Sequence, residues 1–393
     1  MSVAVPERAR PRPRLWHNLR VLRLGFQVLV VAITLLLLRY LFANLTANLE
    51  ASGIPRDFGF LDRPAGYDIR GTDFRPSQPI RDALWIGYLN TIRVASVGIV
   101  LATVWGVLVG IGRLSTNWLV RKSTAVYVET LRNTPVLLTI AFIYFAILLT
   151  ALPGIADAPN LLGVLLLSTR GIWIASGQAT GPLGGLALIV VAAIVAAAAL
   201  AAWRTYRFNK TGVPHHRSLW GWGALVAIVA IGYAWMGAPI SPSLPVREGR
   251  LVTGGLWLEP AFGALLAGLV LYTSSHIAEI VRGSILAVHS GQNEAAKSLG
   301  LTSAQRLRHV VLPQAFRIAV PSLASQYLNL TKNSSLAIFI GYVEYTRVTF
   351  TNIGNANPAP QSIVILGVGY LALSLLIAAV TNVVNRSLAL KTS

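Results

Sequence analysis

The chain has 393 residues, 54% of them hydrophobic and 12% charged, with a mean hydropathy of +0.61. A soluble globular domain carries about 25% charged residues, so a cytosolic enzyme, a disordered chain and a disulfide-stapled secreted domain are excluded. The net charge of +19, from 33 Lys+Arg against 14 Asp+Glu, is dispersed along apolar sequence. It reads as the loop arginines of a polytopic membrane protein and not as a nucleic-acid-binding surface.

Residues 1–23 form a basic N-terminal segment containing six arginines. An apolar run at 24–43 follows. It is longer than a signal-peptide core and has no small-residue cleavage site after it, so it reads as a retained helix. The loop 44–83 contains "FGFLDRPAGYD", expected to form a short helix or turn on the outer membrane surface. Further spans are expected near 84–111, 124–152, 184–203, 219–240, 260–282, 318–343 and 362–385. Crossing a hydrocarbon core ~30 Å thick takes ~20 apolar residues. These runs are continuously apolar rather than alternating, which favours helices over a β-barrel. The expected fold is an all-α integral membrane protein of about eight transmembrane helices.

Charge orients the chain. Loops on the side of the N-terminus hold 20 Lys+Arg and the opposite loops hold nine. Five of those nine lie in 44–83, beside six acids. The basic side is the cytoplasmic one, which places both termini inside.

No covalent chemistry is written into the sequence. No Gly-Lys pair occurs, so there is no phosphate-binding G-x-x-x-x-G-K-[ST] loop. There are no cysteines, hence no thiolate nucleophile or iron–sulfur cluster. No His/acid cluster with metal-ligand spacing appears, and His215 and His216 read as solvated loop residues. The chain is expected to have no catalytic residue, metal or cofactor.

Three polar constellations stand out. The first is the connector 290–313, "SGQNEAAKSLGLTSAQRLRHVVLP". Its first half favours a helix, Gly300 breaks it, and Thr302 or Ser303 caps a second helix. Such an element suits docking better than membrane insertion, with Ala295 and Ala296 allowing close approach and Glu294 offering a charge. The second is charge in or near the spans. Glu129 with Arg132, and Glu279 with Arg282, are spaced i, i+3 and share a helical face. Lys332 lies about 14 residues into its expected span, about 21 Å at 1.5 Å per residue, followed by Asn333, Ser334 and Ser335. A pathway for a zwitterion needs a cation for the carboxylate and acceptors for the ammonium. The third is "YTSSH", Tyr272 to His276, a polar turn inside an apolar span. Ser274, Ser275, His276, Glu279, Lys332, Asn333 and Ser334 are therefore candidate pathway residues; packing serines and interfacial anchors are the plainer alternatives.

The spacing E-A-A-(3)-G-(9)-V-x-L-P resembles the cytoplasmic signature of permease subunits of binding-protein-dependent ABC importers, with Val310 where Ile is usual. "NTIRVASVGIVLATVWGVLVGIGRLS", "YVETLRNTPVLLTIAFIYF" and "LPQAFRIAVPSLASQYLNLTKNSSLAIFIGY" resemble the polar-amino-acid branch, and "FGFLDRPAGYDI" is similar to the general L-amino-acid permeases. The resemblance covers roughly 55–150 and 259–390. It implies a core of five helices, in parts at 84–150 and 259–390, with an N-terminal helix and an insertion at 151–258 holding two more. It also implies that Glu294, Ala295, Ala296 and Gly300 belong to a coupling helix seated on separate ATPase subunits. The implied partners are a paralogous permease chain, an extracytoplasmic amino-acid-binding protein, an amino-acid substrate and the bilayer of a bacterial inner membrane. The alternative reading is a secondary amino-acid transporter working without ATP, which would normally show inverted repeats; none is visible in the sequence.

Overall fold

The computed structural model describes residues 19–54, 57–181, 183–212 and 216–388. The chain forms two compact units, residues 1–83 with 349–367 and residues 84–348 with 368–393. The basic segment expected at 1–23 lies mostly outside the described residues, as does His215.

In the first unit, α1 (Leu19–Ala51) extends past the expected 24–43 at both ends. Its apolar side chains are exposed from Leu22 to Leu41, the state expected of a helix that faces lipid all round. The loop that follows forms a short 3₁₀ helix at Gly59–Asp62, inside the stretch expected to hold a short helix or turn, and part of it is shielded from solvent. Phe60 is 2% exposed and Ile69 1%. The chain doubles back on itself: Ala65 N–H donates to Gln78 O at 2.9 Å and Ile80 N–H to Arg63 O at 3.0 Å. This return brings the apolar residues at 60, 65, 69 and 74 out of solvent together, and Arg81 pairs with Asp62 outside them. Tyr67 Oη donates to Asn352 Oδ1 at 3.0 Å. Burial pushes the Tyr67 phenol up to about 12, so it remains a donor at neutral pH.

The second unit begins within α2 (Ile80–Gly112). A short loop leads to α3 (Trp118–Asn133), whose cap is Asn117; its Oδ1 accepts from Leu119 N–H at 2.9 Å and Val120 N–H at 3.3 Å. The expected span 124–152 is in fact two helices. α4 (Val136–Ala141), continued as a π-helix over Phe142–Ala151, leaves α3 at an angle of 108°. Pro135 causes the bend: it has no N–H to donate and disfavours helical backbone at the residue before it. Thr134 is accordingly extended, with φ −101° and ψ 130°.

Residues 160–179 and 240–258 form strands that the all-helical expectation did not contain. β1 (Asn160–Leu161), β2 (Leu165–Ser168), β3 (Gly171–Ile174) and β4 (Ser176–Ala179) precede α5 (Leu183–Thr211) and α6 (Arg217–Trp235). β5 (Ile240–Ser243), β6 (Val246–Glu248), β7 (Leu251–Thr253) and β8 (Leu256–Leu258) follow. The pairings are all antiparallel: β1-β2-β3-β8 in one sheet, β4 with β5, and β6 with β7. Because α5 and α6 pack side by side, the strands flanking them meet at one end.

α7 (Pro260–Leu286) is the centre of the unit. Its Leu265, Leu269 and Ile277 are fully buried, in a core shared with Val94 and Ala102 of α2 and Ile140 of α4. After it come α8 (Ser290–Ser298), α9 (Ser303–Arg306), a π-helical turn at Leu307–Val311 and α10 (Leu312–Asn333). A 3₁₀ segment at Ser334–Ile340 leads to α11 (Tyr345–Gly354) and α12 (Ala359–Leu388).

Among the described residues, five helices are long and apolar enough to cross a membrane: those at Val21–Ala51, Ile80–Gly112, Gly184–Phe208, Pro260–Leu286 and Ala359–Arg386. Taken together as one broken span, the bent α3–α4 pair would make a sixth. The expected spans at 219–240 and 318–343 do not reach that standard. α6 stops at Trp235, and α10 carries Arg317, Gln326, Asn329 and Lys332 with two prolines. The fold is mostly helical, as expected, with this small strand region added.

α2 meets α7 at backbone distance. A Cβ placed on Gly106 would lie 2.6 Å from Ile277 Cγ2 and 2.9 Å from Ser274 O, and one on Gly110 would lie 2.7 Å from Ala278 O. Small residues four apart permit this approach, which drives helix association where lipid removes the hydrophobic incentive. Gly106→Val should therefore cost about 1–3 kcal/mol through overpacking. The expected readout is a lower Tm in mild detergent, while the exposed Gly283→Val leaves Tm nearly unchanged.

Candidate functional site

The connector between α7 and α10 is built by local rules. His289 Nδ1 accepts from Gly291 N–H at 3.1 Å and starts α8. Gly300 ends it at φ +74°, a conformation that disfavours any side chain. Leu301 N–H donates to Ala296 O at 3.2 Å and Gly300 N–H to Lys297 O at 3.0 Å, a Schellman closure. Thr302 then caps α9 by a capping box. Its Oγ1 accepts from Gln305 N–H at 3.4 Å, and Gln305 Oε1 accepts from Thr302 N–H at 2.9 Å. Both expected features, the break at Gly300 and the cap at Thr302, are present. Glu294 and Ala295 are exposed, whereas Ala296 is buried. Among the described residues no ion pair engages Glu294.

A charged cluster joins the ends of α2 and α7. Arg282 Nε and Nη2 donate to Glu279 Oε1 at 3.1 and 2.5 Å, so the expected i, i+3 pair forms. Glu279 also accepts from Arg113, just past the end of α2. The Glu129–Arg132 pair does not appear. Glu129 instead lies 4.0 Å from Arg113 and is largely exposed. Arg113 and Glu279 are mostly shielded, so solvent screens this pair less than a surface one.

The remaining expected pathway residues fall into two groups. Ser274 and Ser275 are fully buried. Ser274 Oγ lies 2.7 Å from Tyr127 Oη of α3, and Ser275 donates to Tyr272 O at 2.6 Å. Within this chain Ser274 thus bonds a neighbouring helix and Ser275 its own. His276 is half-buried, its ring 4.7 Å from that of Tyr272, and its Nε2 has no hydrogen-bond partner among the described residues. At the end of α10, Lys332 is exposed, Asn333 half-buried, and Ser334 buried with its hydroxyl donating to Thr331 O at 2.7 Å. The two groups do not converge. Leu330 and Leu266 both border Gly98, and His276 lies ten residues further along α7, about 15 Å at 1.5 Å per residue. A separate apolar cleft between α2, α7 and α10, lined by Val107, Ile111, Val281, Ile285, Phe316 and Leu323 among others, offers little to a charged solute.

One residue outside the expected candidates is central to the structure. Glu344 is fully buried. It accepts from the Thr346 and Arg347 N–H groups at 2.9 Å each, from Tyr370 Oη at 3.0 Å and from Thr91 Oγ1 at 3.3 Å. One carboxylate thus caps α11 and ties it to α2 and α12. Its only sequence signal is an acid in the apolar, aromatic context "GYVEYTR". Removing it leaves several buried donors unmet, so Glu344→Ala should cost about 3 kcal/mol. Thermal unfolding in detergent should place Glu344→Gln, which keeps one acceptor oxygen, between Glu344→Ala and the native protein.

Residues 102–390 match the family described as "binding-protein-dependent transport system inner membrane component". The chain is 39% identical over 367 residues to the general L-amino acid transport system permease protein AapQ of Rhizobium johnstonii, covering 93% of this chain and 92% of that one. It is 38% identical over 390 residues to YhdX of Escherichia coli K12, covering 97% and 96%. Against the glutamate/glutamine/aspartate/asparagine transport system permease protein BztB of Rhodobacter capsulatus, identity is 33% over 409 residues, covering 95% of each. A solved amino acid ABC transporter with histidines aligns at a TM-score of 0.47 and 18% identity, over 78% of this chain and 94% of that one. A family match that runs from within α2 to α12, through the connector and the strands alike, makes this chain a member of the binding-protein-dependent transport system inner membrane component family.

Proposed function

We propose that the chain is the permease subunit of an ATP-driven amino-acid importer. The observation that carries this reading is the connector: a helix, a left-handed glycine and a box-capped second helix, placed between α7 and α10 inside the family match. Glu294 and Ala295 present its outer face to a partner, and Ala296 roots it. A rigid, exposed element continuous with α10 transmits displacement in a way a flexible loop does not. An ATPase subunit seated on it biases the bundle between two states by its differential affinity for them. The chain carries no phosphate-binding loop, so hydrolysis belongs to that partner.

The names of AapQ and BztB support an L-amino acid as the solute. On this reading Lys332 and Asn333, on the exposed end of α10, face a pathway completed by a second, paralogous permease chain. Lys332 meets the substrate carboxylate, and His276 and Glu279 lie further along. The termini are cytoplasmic, the connector lies on their side, and an amino-acid-binding protein docks on the other.

Two measurements test this. Mild-detergent extraction of the tagged chain from its native membrane should co-purify an ATPase subunit and a second permease. Recovery of the chain alone, still moving an amino acid in ATP-free vesicles, would sink the proposal and favour a secondary transporter. Separately, Glu294→Lys should leave the chain in the membrane and lower its co-purification with the ATPase at least about tenfold, the scale of a like-charge clash worth a few kcal/mol. Native transport by that variant would remove the connector from the coupling path.

A further inference from the structure

The α5–α6 pair carries a cluster that solute movement and ATPase coupling leave unused. Trp203, Arg204, Tyr206, Arg207 and Lys210 occupy the last turns of α5, and Trp220 lies in the first turn of α6. The Arg204 guanidinium sits 4.7 Å from the centre of the Trp220 ring, that of Arg207 5.2 Å from Trp203, and Lys210 Nζ 4.6 Å from Tyr206. Three of the four cation–π contacts among the described residues are at this one end. No Asp or Glu occurs between Asp157 and Glu248, so the pair brings no carboxylate of its own to neutralise them. The partial negative charge at the C-terminus of α5 favours the cations where they are.

A ring face attracts a cation through its quadrupole but consumes none of its in-plane N–H donors. The donors of Arg207 and Lys210 are thereby fixed at the helix end and presented outward, beside rings suited to the headgroup level of a bilayer. The same helices continue as exposed apolar surface: Leu188 and Val195 on α5, Val226 and Ile231 on α6. Phosphate acceptors beside the cations and acyl chains along the apolar stretch belong to one kind of molecule. We propose that this end of the α5–α6 pair binds the headgroup of an anionic phospholipid. An acidic soluble protein would match the cations but not the apolar surface that adjoins them.

The test uses the full chain, with whatever subunits accompany it, in vesicles of phosphatidylcholine alone or of phosphatidylcholine doped with phosphatidylglycerol. Native mass spectrometry after extraction should find phosphatidylglycerol retained in preference to phosphatidylcholine, with high salt during extraction erasing the preference. In a variant carrying Arg204→Gln, Arg207→Gln and Lys210→Gln, retention should fall at least about tenfold, since each cation near an anionic surface contributes appreciably to headgroup attraction. Equal retention of the two lipids by the native chain overturns the proposal, whatever the variant does. So does undiminished phosphatidylglycerol retention by a folded triple variant. A photo-crosslinker at Tyr206 that captures an acidic polypeptide in native membranes, and no lipid, overturns it too and assigns the cluster to a protein partner.

Discussion

The second unit depends on one distance: how near the backbone of α2 lies to that of α7. Gly106 and Gly110 leave room for nothing between them and the Ser274–Ala278 stretch of α7. Within lipid, apolar side chains gain nothing by leaving one apolar neighbour for another, so close packing and polar contacts must hold helices together. The glycines supply the packing. The polar contacts gather around the same line: Ser274 against Tyr127 near its middle, and Arg113 on Glu279 where it ends. Pro135 serves the same arrangement, since the turn it forces lets α4 reach α7 at Ile140 instead of running on as one rod.

What could be read in the sequence follows from the range of the forces involved. Long apolar runs declare themselves, so α2, α7 and α12 lie within a few residues of their expected spans, while α1 and α5 run well past theirs. The break at Thr134–Pro135 is present in the residues, yet the apolar run that follows it masks the polar character of α3 before it. The strands were missed for a different reason. Each has four residues or fewer, and "LLGVLLLS" alternates too little to announce a sheet. Some pairings are local hairpins, but β3 joins β8 across about eighty positions, Ile172 with Leu258, and no local pattern encodes that. Lys332 shows where counting residues and the helix boundary part company. Counting residues placed it deep in a span, but α10 ends one residue later and leaves its side chain exposed.

The connector was the most legible part of the candidate site because its determinants lie within a dozen residues. A glycine stop, a threonine cap and a glutamine three residues on are short-range rules, and Gly300, Thr302 and Gln305 obey them. The other polar residues follow such rules only in part: Glu279 pairs with Arg282 as the spacing predicts. Ser274 and Ser275 turned inward to bond Tyr127 and Tyr272, Glu129 turned to Arg113 instead of Arg132, and Glu344 became a junction of three helices. Apart from Ser275, whose acceptor is one turn back on its own helix, each outcome was decided by a partner from elsewhere in the chain.

The strand pairing has a topological corollary. Ile174 and Leu256 are partners across β3 and β8, so the chain leaves the bundle and returns to it at neighbouring points, one strand spacing or about 5 Å apart. Everything between them, α5 and α6 included, is a closed excursion whose two ends are already stapled together. Lengthening, shortening or exchanging such an excursion changes little in the loop-closure entropy of the remaining bundle. The α5–α6 segment is in that sense a cartridge, and the fold can carry different versions of it while the packing of α2 on α7 stays as it is.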